Sequence, residues 1–346
     1  MRAVLLTGHG GFDKLEYRTD VPRPLPRHGE VLIKIGAAGV NNTDVNTRIG
    51  WYSKSEAAAD TGSARAADSG WTGSPVAFPR IQGADACGHI VAVGEGTDVA
   101  RIGERVIVNP VLSRGDDGRE AAYFGSDRDG AFAEFAVVPA ANACKIDSEL
   151  TDVELASFPC SYGAAENMLS RAGVAAGDRV LVTGASGGVG SAAVQLAKRR
   201  NAIVIAVASR SKAPSVAALG ASQVLDRDAD LLAKLGAESI DVVIDSVGGP
   251  RCAMLFSVLE RFGRYATAGA IAGPRVELDL RTLYLKDLSL FGCTMLEPRI
   301  FENLVGHIER REIRPLIGAS FPLQDIVDAQ RAFLSKSHVG KIVLTL

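Results

Sequence analysis

Closely spaced glycines follow a short apolar run near the middle of the chain. The run covers residues 180–182, and the glycines recur at three-residue intervals with one more added. From Val189 onward, apolar residues recur at helical intervals. Glycines let a backbone approach a phosphate, and free amides at the start of a helix stabilise its charge. We therefore predict a strand, a turn and a helix that bind phosphate through Gly184, Ser186, Gly187, Gly188, Val189 and Gly190.

A second apolar run, residues 203–208, follows the predicted helix. Strand, helix and strand of this length form the crossover unit of dinucleotide-binding folds. Folds that bind NAD usually hold an Asp or Glu at the tip of this second strand, for the ribose hydroxyls. Here the tip carries Ser209, Arg210, Ser211 and Lys212. Hydroxyls and cations suit the extra phosphate of NADP(H), which is the cofactor we predict, although Arg210 and Lys212 could instead solvate a surface loop.

Composition limits the classes of partner. The chain has 346 residues, 47% of them hydrophobic, which suffices for two domains with cores, and its net charge is −2. This balance predicts neither a nucleic-acid partner nor a membrane partner, and no apolar run approaches the roughly 20 residues of a membrane helix. The first residues predict a strand rather than a signal peptide. Five cysteines without C-x-x-C spacing suit a reduced cytoplasmic protein.

The predicted elements divide the chain into two parts. Up to about residue 143, short β-rich runs alternate with Gly and Pro, which predicts an irregular β domain without helices. Within it, residues 51–78 have too little apolar content for a core and predict a mobile surface loop. From about residue 150, helices and apolar strands alternate, with a helix broken at Pro159 and a later amphipathic helix over residues 298–310. This alternation predicts an α/β fold with a doubly wound parallel sheet.

Several further motifs are only moderate signals of a family when taken singly, but their order along the chain makes them informative together. They are GVNNTD at residues 39–44, GADACGHIVAVG at 83–94, GERV at 103–106, the glycine turn, and VGKIVL at 339–344. With these motifs the chain resembles the medium-chain dehydrogenase/reductase superfamily nearly from end to end. The resemblance implies a GroES-like β-rich catalytic domain from residues 1–143 and 294–346. It also implies a Rossmann domain over residues 144–293, with a substrate cleft between the two domains.

The resemblance also bears on zinc. Zinc-dependent relatives hold the metal with a Cys, a His and a second Cys, and the matching positions here are Asn41, Ala84 and Cys160, with Asp85 keeping an acidic position. Zinc needs about three ligands with thiolate, imidazole or carboxylate donors, so Asn41 and Ala84 argue against it. Asp85, Cys87 and His89 alternate and could share one face of a strand. Such alternation is also typical of an ordinary half-exposed strand, and we predict no metal.

Asn41 and Asp44 form the N-x-x-D pattern of the zinc-free branch, which includes quinone oxidoreductases and enone reductases, and Tyr52 lies where that branch has a tyrosine. The resemblance implies hydride transfer from NADPH to a small electrophile, a quinone or an α,β-unsaturated carbonyl, without metal. The charge that develops on the substrate oxygen then needs hydrogen-bond donors, and the candidates are Asn41, Thr43 and Tyr52. Each could instead be structural: Asn41 in a turn, Thr43 on a backbone group, Tyr52 in the core. Asp44 is expected to order the loop.

The remaining expectations concern the cofactor and the assembly. Predicted strand ends place Ser246, Val247, Ala268, Gly269 and Ala270 beside the nicotinamide. Lys341 could approach the cofactor or be solvated at the surface. The resemblance implies a homodimer that pairs Rossmann edge strands. Two other functions stay open: a zinc-type alcohol dehydrogenase with displaced ligands, and a non-catalytic NADPH-binding module that senses redox state.

Overall fold

The computed structural model describes residues 1–53, 70–72, 74–114 and 120–346. These residues form two compact units. The terminal unit comprises Met1–Cys160 and Ile317–Leu346, and the central unit comprises Ser161–Leu316. Most of the predicted mobile loop over residues 51–78 lies outside the described residues. None of the helices in the described ranges has the length and apolar content needed to cross a membrane.

The terminal unit is rich in short strands, and further strands form the sheet of the central unit. In chain order they are β1 (Ala3–Leu6), β2 (Leu15–Arg18), β3 (Glu30–Val40), β4 (Arg80–Ile81), β5 (Cys87–Val93), β6 (Arg105–Val108), β7 (Val111–Arg114), β8 (Glu120–Tyr123), β9 (Phe135–Pro139), β10 (Ala143–Lys145), β11 (Arg179–Val182), β12 (Ile203–Ala208), β13 (Gln223–Asp226), β14 (Ile240–Asp245), β15 (Leu259–Thr267), β16 (Ser289–Gly292), β17 (Ile317–Pro322) and β18 (Lys341–Thr345).

Most α-helices lie in the central unit. Those of the described residues are α1 (Asn42–Arg48), α2 (Asp152–Leu155), α3 (Pro159–Arg171), α4 (Gly188–Arg199), α5 (Ala213–Ala217), α6 (Leu231–Leu235), α7 (Cys252–Val258), α8 (Leu280–Leu285), α9 (Pro298–Glu309) and α10 (Ile326–Ser335). The separation of α2 from α3 agrees with the break predicted at Pro159.

The central sheet has six strands in the order β13-β12-β11-β14-β15-β16, and every neighbouring pair is parallel. This is the strand order of a doubly wound dinucleotide-binding fold, so the predicted fold class is confirmed. The apolar run Val180, Leu181 and Val182 is fully buried in β11. A strand covered on both faces needs such a continuous run, because helices pack on each side of the sheet.

The terminal unit joins the two ends of the chain in one sheet. Its strands run in the order β10-β6-β5-β3-β18-β17, and β9 also pairs with β3. The antiparallel pairing of β18 with β3 sets Ile342 opposite Val40. Lys341 therefore lies close to Asn41, 300 residues away in the sequence.

The units have different bounds from the predicted domains, which placed residues 294–316 with the chain ends. In the structure these residues belong to the central unit because their contacts are there. The Asn167 side chain donates to the Met295 carbonyl at 3.0 Å, and Arg199 pairs with Glu312. The amphipathic helix α9 is therefore present as predicted, and it lies in the central unit.

Helix α1 contradicts the expectation that the first 143 residues contain no helix. Its sequence, NTDVNTR, is short and polar, so it lacks the apolar periodicity that identifies helices. It is stabilised at its start instead, where the Asp44 carboxylate accepts the Asn41 backbone N–H at 2.7 Å. Asp44 thus orders this segment, as predicted.

Candidate active site

Two positions in the glycine turn of the central unit require glycine, one because of its backbone angle and one because of space. Gly184 has a φ of 56°, which side chains rarely adopt, and a Cβ at Gly190 would lie 2.2 Å from the Gly184 carbonyl oxygen. Gly187 precedes α4 without any capping side chain. The first N–H groups of a helix have no acceptor inside that helix. The turn therefore presents free backbone donors and a positive helix end, which fit a pyrophosphate.

The loop after β14 lies against this turn. A Cβ at Gly184 would lie 3.0 Å from Val247 Cγ2 and 3.4 Å from Ser246 Oγ. The buried Asp245 carboxylate holds the loop, since it accepts the Val247 backbone N–H at 2.9 Å and the Tyr265 hydroxyl at 2.6 Å. Asp245 therefore fixes the position of the residues expected beside the nicotinamide.

The loop after β15 joins the same edge of the sheet. The Ala272 backbone donates to the Val247 carbonyl at 2.8 Å, and a Cβ at Gly269 would lie 3.2 Å from the Ser246 carbonyl oxygen. The structure thus brings three predicted loops together, although their contacts with a cofactor remain predictions. The residues concerned are Gly184, Ser246, Val247, Ala268, Gly269 and Ala270.

The tip of β12 carries the predicted residues Ser209, Arg210 and Lys212, and the structure adds a third cation. Arg227 follows β13, and its backbone donates to the Ala208 carbonyl at 3.0 Å. Burial lowers the pKa of Lys212, and the nearby Arg227 charge lowers it further. Sequence reasoning missed Arg227, but a signal existed: parallel neighbouring strands end at one edge, so the residues that follow them lie side by side.

In the terminal unit, Lys341, Asp85 and Asn41 form a buried polar group, which we call the Lys341 cluster. Lys341 Nζ lies 2.7 Å from Asp85 Oδ2, and the two side chains are 4% and 0% exposed. The same ammonium donates to Asn41 Oδ1. Because Lys341 is buried and paired, the alternative that it is solvated at the surface is wrong.

The Asn41 amide has no hydrogen left for a substrate. Its Nδ2 donates to Asp85 Oδ2 at 2.8 Å and to the Gly39 carbonyl at 3.3 Å. An amide nitrogen has two hydrogens, and both have acceptors here. This arrangement does not support the prediction that Asn41 donates to a developing oxyanion.

Asp44 is completely buried beside this cluster. Its carboxylate also accepts the Gly83 backbone N–H at 3.2 Å. Burial raises the pKa of Asp44 to about 7, although the Asn41 backbone N–H and the Lys341 charge oppose the rise. Asp44 therefore ties the segment that holds Asn41 to the segment that leads into Asp85.

Cys160 contacts the cluster through its backbone, which donates to Asp85 Oδ1 at 2.6 Å. Burial raises the pKa of the Cys160 thiol to about 12, and Asp85 adds to the rise. Its Sγ lies 3.1 Å from the Tyr123 hydroxyl, and the Tyr123 ring stacks on Trp71 with 4.3 Å between centroids. No sequence spacing indicated Tyr123, because its contact with Cys160 depends on tertiary packing alone.

In the part of the chain that the structure describes, the hydroxyl groups of Thr43 and Tyr52 make fewer hydrogen bonds than the Asn41 amide does. Thr43 Oγ1 is buried and has no well-formed hydrogen bond within the described residues. Burial raises the pKa of the Tyr52 phenol, while polar contact with Thr43 and Asn46 opposes the rise. Tyr52 therefore stays protonated and can donate at neutral pH.

The residues of this unit do not fit a zinc ion. Within the described ranges, no three His, Cys, Asp or Glu side chains converge on one point. The amide of Asn41 is a poor ligand, and the Lys341 ammonium would repel a cation. The rival set does not converge either, because Cys87 is buried against Asp152 whereas His89 is exposed.

A parallel nucleotide-binding sheet and a separate β-rich unit with a buried polar cluster define a nicotinamide-dependent oxidoreductase. Comparison with known proteins gives the family. The model of the alcohol dehydrogenase GroES-like domain matches residues 27–148, and that of the zinc-binding dehydrogenase matches residues 188–310. The chain belongs to the medium-chain dehydrogenase/reductase superfamily and to its quinone oxidoreductase-like branch, as its motifs predicted.

Individual relatives match over the full chain. An acryloyl-coenzyme A reductase of Metallosphaera sedula is 30% identical and covers 100% of both chains. A quinone oxidoreductase of Lama guanicoe is 29% identical and covers 100% of this chain and 98% of its own. Among solved structures, a provisionally assigned alcohol dehydrogenase of Sinorhizobium meliloti 1021 is 50% identical with a TM-score of 0.93, covering 100% and 96%.

Proposed function

We propose that this protein reduces a quinone or an α,β-unsaturated carbonyl with NADPH and without a metal ion. The observation that carries the proposal is the Lys341 cluster, in which an ammonium group lies among the positions where zinc-dependent relatives are expected to hold their metal. The names of the relatives support the substrate class, because a quinone and an acryloyl thioester are both conjugated acceptors.

The central unit is proposed to hold NADPH. The glycine turn and the start of α4 would receive the pyrophosphate, and Ser209, Arg210, Lys212 and Arg227 would receive the 2′-phosphate. Arg251 holds the loop after β13 in place, since its guanidinium donates to the Arg227 carbonyl. When bound, the reduced nicotinamide supplies the hydride for the reaction.

The terminal unit is proposed to stabilise the charge on the substrate oxygen. The Thr43 hydroxyl and the Tyr52 phenol are proposed to donate hydrogen bonds to this oxygen. Asn41 instead positions its neighbours, because both hydrogens of its amide already have acceptors. Each donor aimed at such an oxygen contributes on the order of 3 kcal/mol. A conjugated acceptor suits a site without metal because it spreads the charge over several atoms. A proton from solvent completes the reduction.

The proposal is tested by NADPH oxidation with protein whose metal content has been measured. The acceptors are a quinone, an enal, an enone and a simple aldehyde, and NADH serves as the control cofactor. We expect turnover of the conjugated acceptors by zinc-free protein, with NADPH preferred. Turnover of the simple aldehyde alone, by protein with stoichiometric zinc, would refute the proposal.

A zinc-type alcohol dehydrogenase is the second candidate, favoured by the zinc-binding description of the family that matches residues 188–310. Metal analysis decides between the two. The non-catalytic module is the third, and NADPH binding without turnover of any acceptor in the panel would favour it.

We also propose a cytoplasmic homodimer. Among the described residues, β16 is an edge strand whose one partner is β15, and Leu285 before it and Leu290 within it are 58% and 41% exposed. The five cysteines are free thiols, which suits a reducing compartment. Light scattering on the purified protein tests the assembly, and a monomeric mass at micromolar concentration would exclude it.

A further inference from the structure

Lys341 has one hydrogen-bond donor that its neighbours leave free. An ammonium group has three N–H donors. One donates to Asp85 at 2.7 Å and one to Asn41, and the third has no acceptor among the residues that the structure describes. Lys341 is only 3% exposed, so bulk water does not readily supply that acceptor. A buried donor without an acceptor is costly to keep, so we expect a bound molecule, either an ordered water or a ligand, to complete it.

The surrounding groups are arranged so that Asp85 can reach the ammonium. A Cβ at Gly39 would lie 2.5 Å from Asp85 Oδ2, so only glycine lets the carboxylate lie over β3. Asp85 accepts from the Cys160 backbone and the Asn41 amide as well as from Lys341. Its negative charge is therefore spread over three donors, while Lys341 keeps one donor uncommitted.

Stability alone does not explain a buried ion pair. Replacing such a pair by apolar residues of similar volume is often neutral or stabilising, because both charges must be desolvated. A directed donor in a water-poor site, by contrast, is worth more than the same donor in water. The remaining N–H of Lys341 lies in such a water-poor site, since the residue is 3% exposed.

We propose that Lys341 donates its third ammonium N–H to the acceptor oxygen on which negative charge develops during reduction. It would thereby do in this chain what a metal ion does in zinc-dependent members of the family. This inference rests on the proposed function and adds Lys341 to Thr43 and Tyr52 as a residue that contacts the substrate. It also agrees with the poor fit of the cluster to a zinc ion.

The test compares three changes with the wild type. Lys341→Met combined with Asp85→Asn removes both charges of the buried pair, and Lys341→Arg keeps the positive charge. Lys286→Met is the matched control, since Lys286 is also largely buried but donates to the carbonyls of Phe256, Ser257 and Leu259. All of its three donors are therefore committed. Folding is checked by circular dichroism, and NADPH affinity by nucleotide fluorescence.

Two readouts are needed. In single-turnover hydride transfer from NADPH to 1,4-naphthoquinone, we expect the double variant to lose about 10²-fold, as for loss of one oxyanion donor, and Lys341→Arg to lose less. Lys286→Met should match the wild type. The second measurement is binding without turnover. The ionised form of 4-nitrophenol serves as the probe, because its charged oxygen resembles the oxygen of the reduced acceptor. We expect it to bind the double variant about tenfold more weakly than the wild type, as measured by its visible absorbance.

The outcomes separate the inference from the function on which it rests. A double variant that transfers hydride and binds 4-nitrophenolate like the wild type would show that Lys341 only balances Asp85, and would overturn the inference alone. A wild-type protein that binds NADPH but reduces no acceptor would overturn the proposed function, and the substrate role of Lys341 with it.

Discussion

The carboxyl edge of the central sheet and the Lys341 cluster are both polar, but they use their charges differently. At the sheet edge, Arg227 and Asp228 are 72% and 80% exposed and 3.6 Å apart. In the cluster, Lys341 and Asp85 are almost fully buried at 2.7 Å. Exposed charges are screened and suit a ligand that arrives with its own charge. Buried charges interact strongly and must be matched within the protein. The exposed charges of the first region thus suit ligand recognition, and the buried charges of the second suit a fixed local field.

The largest effect should come from breaking one half of the buried pair. Asp85→Asn leaves the Lys341 ammonium buried without its counter-ion, which should lower the free energy of unfolding by about 3–5 kcal/mol. Asp228→Asn at the exposed pair should change it by less than about 1 kcal/mol. Urea denaturation measures both. Equal losses for the two variants would show that burial does not distinguish these pairs.

The glycine turn offers a second, smaller contrast. At Gly190 the protein's own backbone leaves no room for a side chain, whereas at Gly187 only a bound ligand would exclude one. Gly190→Ala places a Cβ against backbone, so stability should fall by about 1–3 kcal/mol and NADPH affinity should fall too. At Gly187 a Cβ would make only ordinary contact, 3.5 Å from the Gly184 carbonyl oxygen. Gly187→Ala should therefore spare stability and weaken NADPH binding by about tenfold, a change of 1.4 kcal/mol.

Thermal unfolding and nucleotide fluorescence measure the two properties. Gly292→Ala is the matched control, because a Cβ there would meet nothing within 4 Å. If Gly187→Ala bound NADPH as tightly as the wild type, the assignment of the turn to the pyrophosphate would be wrong.

The same contrast explains what the sequence could and could not reveal. The central sheet and its glycine turn were predictable because each strand and helix is a local pattern of apolar residues. The Lys341 cluster joins residues up to 300 positions apart, so no local pattern marks it. The resemblance placed Asn41 and Asp85 near a catalytic position, but only the pairing of β18 with β3 brings Lys341 to them. Helix α1 was missed because its stabilising contacts are polar.

Cofactor preference should respond to the cations at the tip of β12. Arg210→Ala and Arg227→Ala should each lower the preference for NADPH over NADH by about tenfold, since each removes one charge-assisted contact with the 2′-phosphate. Binding of 2′,5′-ADP compared with AMP isolates that phosphate. Arg261→Ala is the matched control: Arg261 is similarly exposed and pairs with Asp287 at 3.4 Å, but at the start of β15. If Arg227→Ala kept the wild-type preference for NADPH, the 2′-phosphate site would be limited to the residues that follow β12.

The buried region should also show a pH dependence of stability. Asp44 has a pKa of about 7 in the folded protein, mainly because of burial, and 3.8 is its ordinary value. The folded state therefore binds this proton more tightly than the unfolded state does. Its contribution to stability is present below about pH 4 and is lost as the pH rises towards 7, by at most about 1.4 kcal/mol for each pH unit.

Other groups titrate over the same range, so the informative quantity is the difference between the wild type and Asp44→Asn. The charged neighbours of Asp44, Lys341 and Asp85, stay in both proteins. Asp44→Asn should be less stable overall, because an amide cannot accept both the Asn41 and the Gly83 N–H groups, but its stability should fall less steeply between pH 4 and 7. Urea denaturation across that range gives the two slopes. Parallel slopes would mean that the pKa of Asp44 is the same in the folded and unfolded states, because the Lys341 charge and the two backbone donors offset its burial.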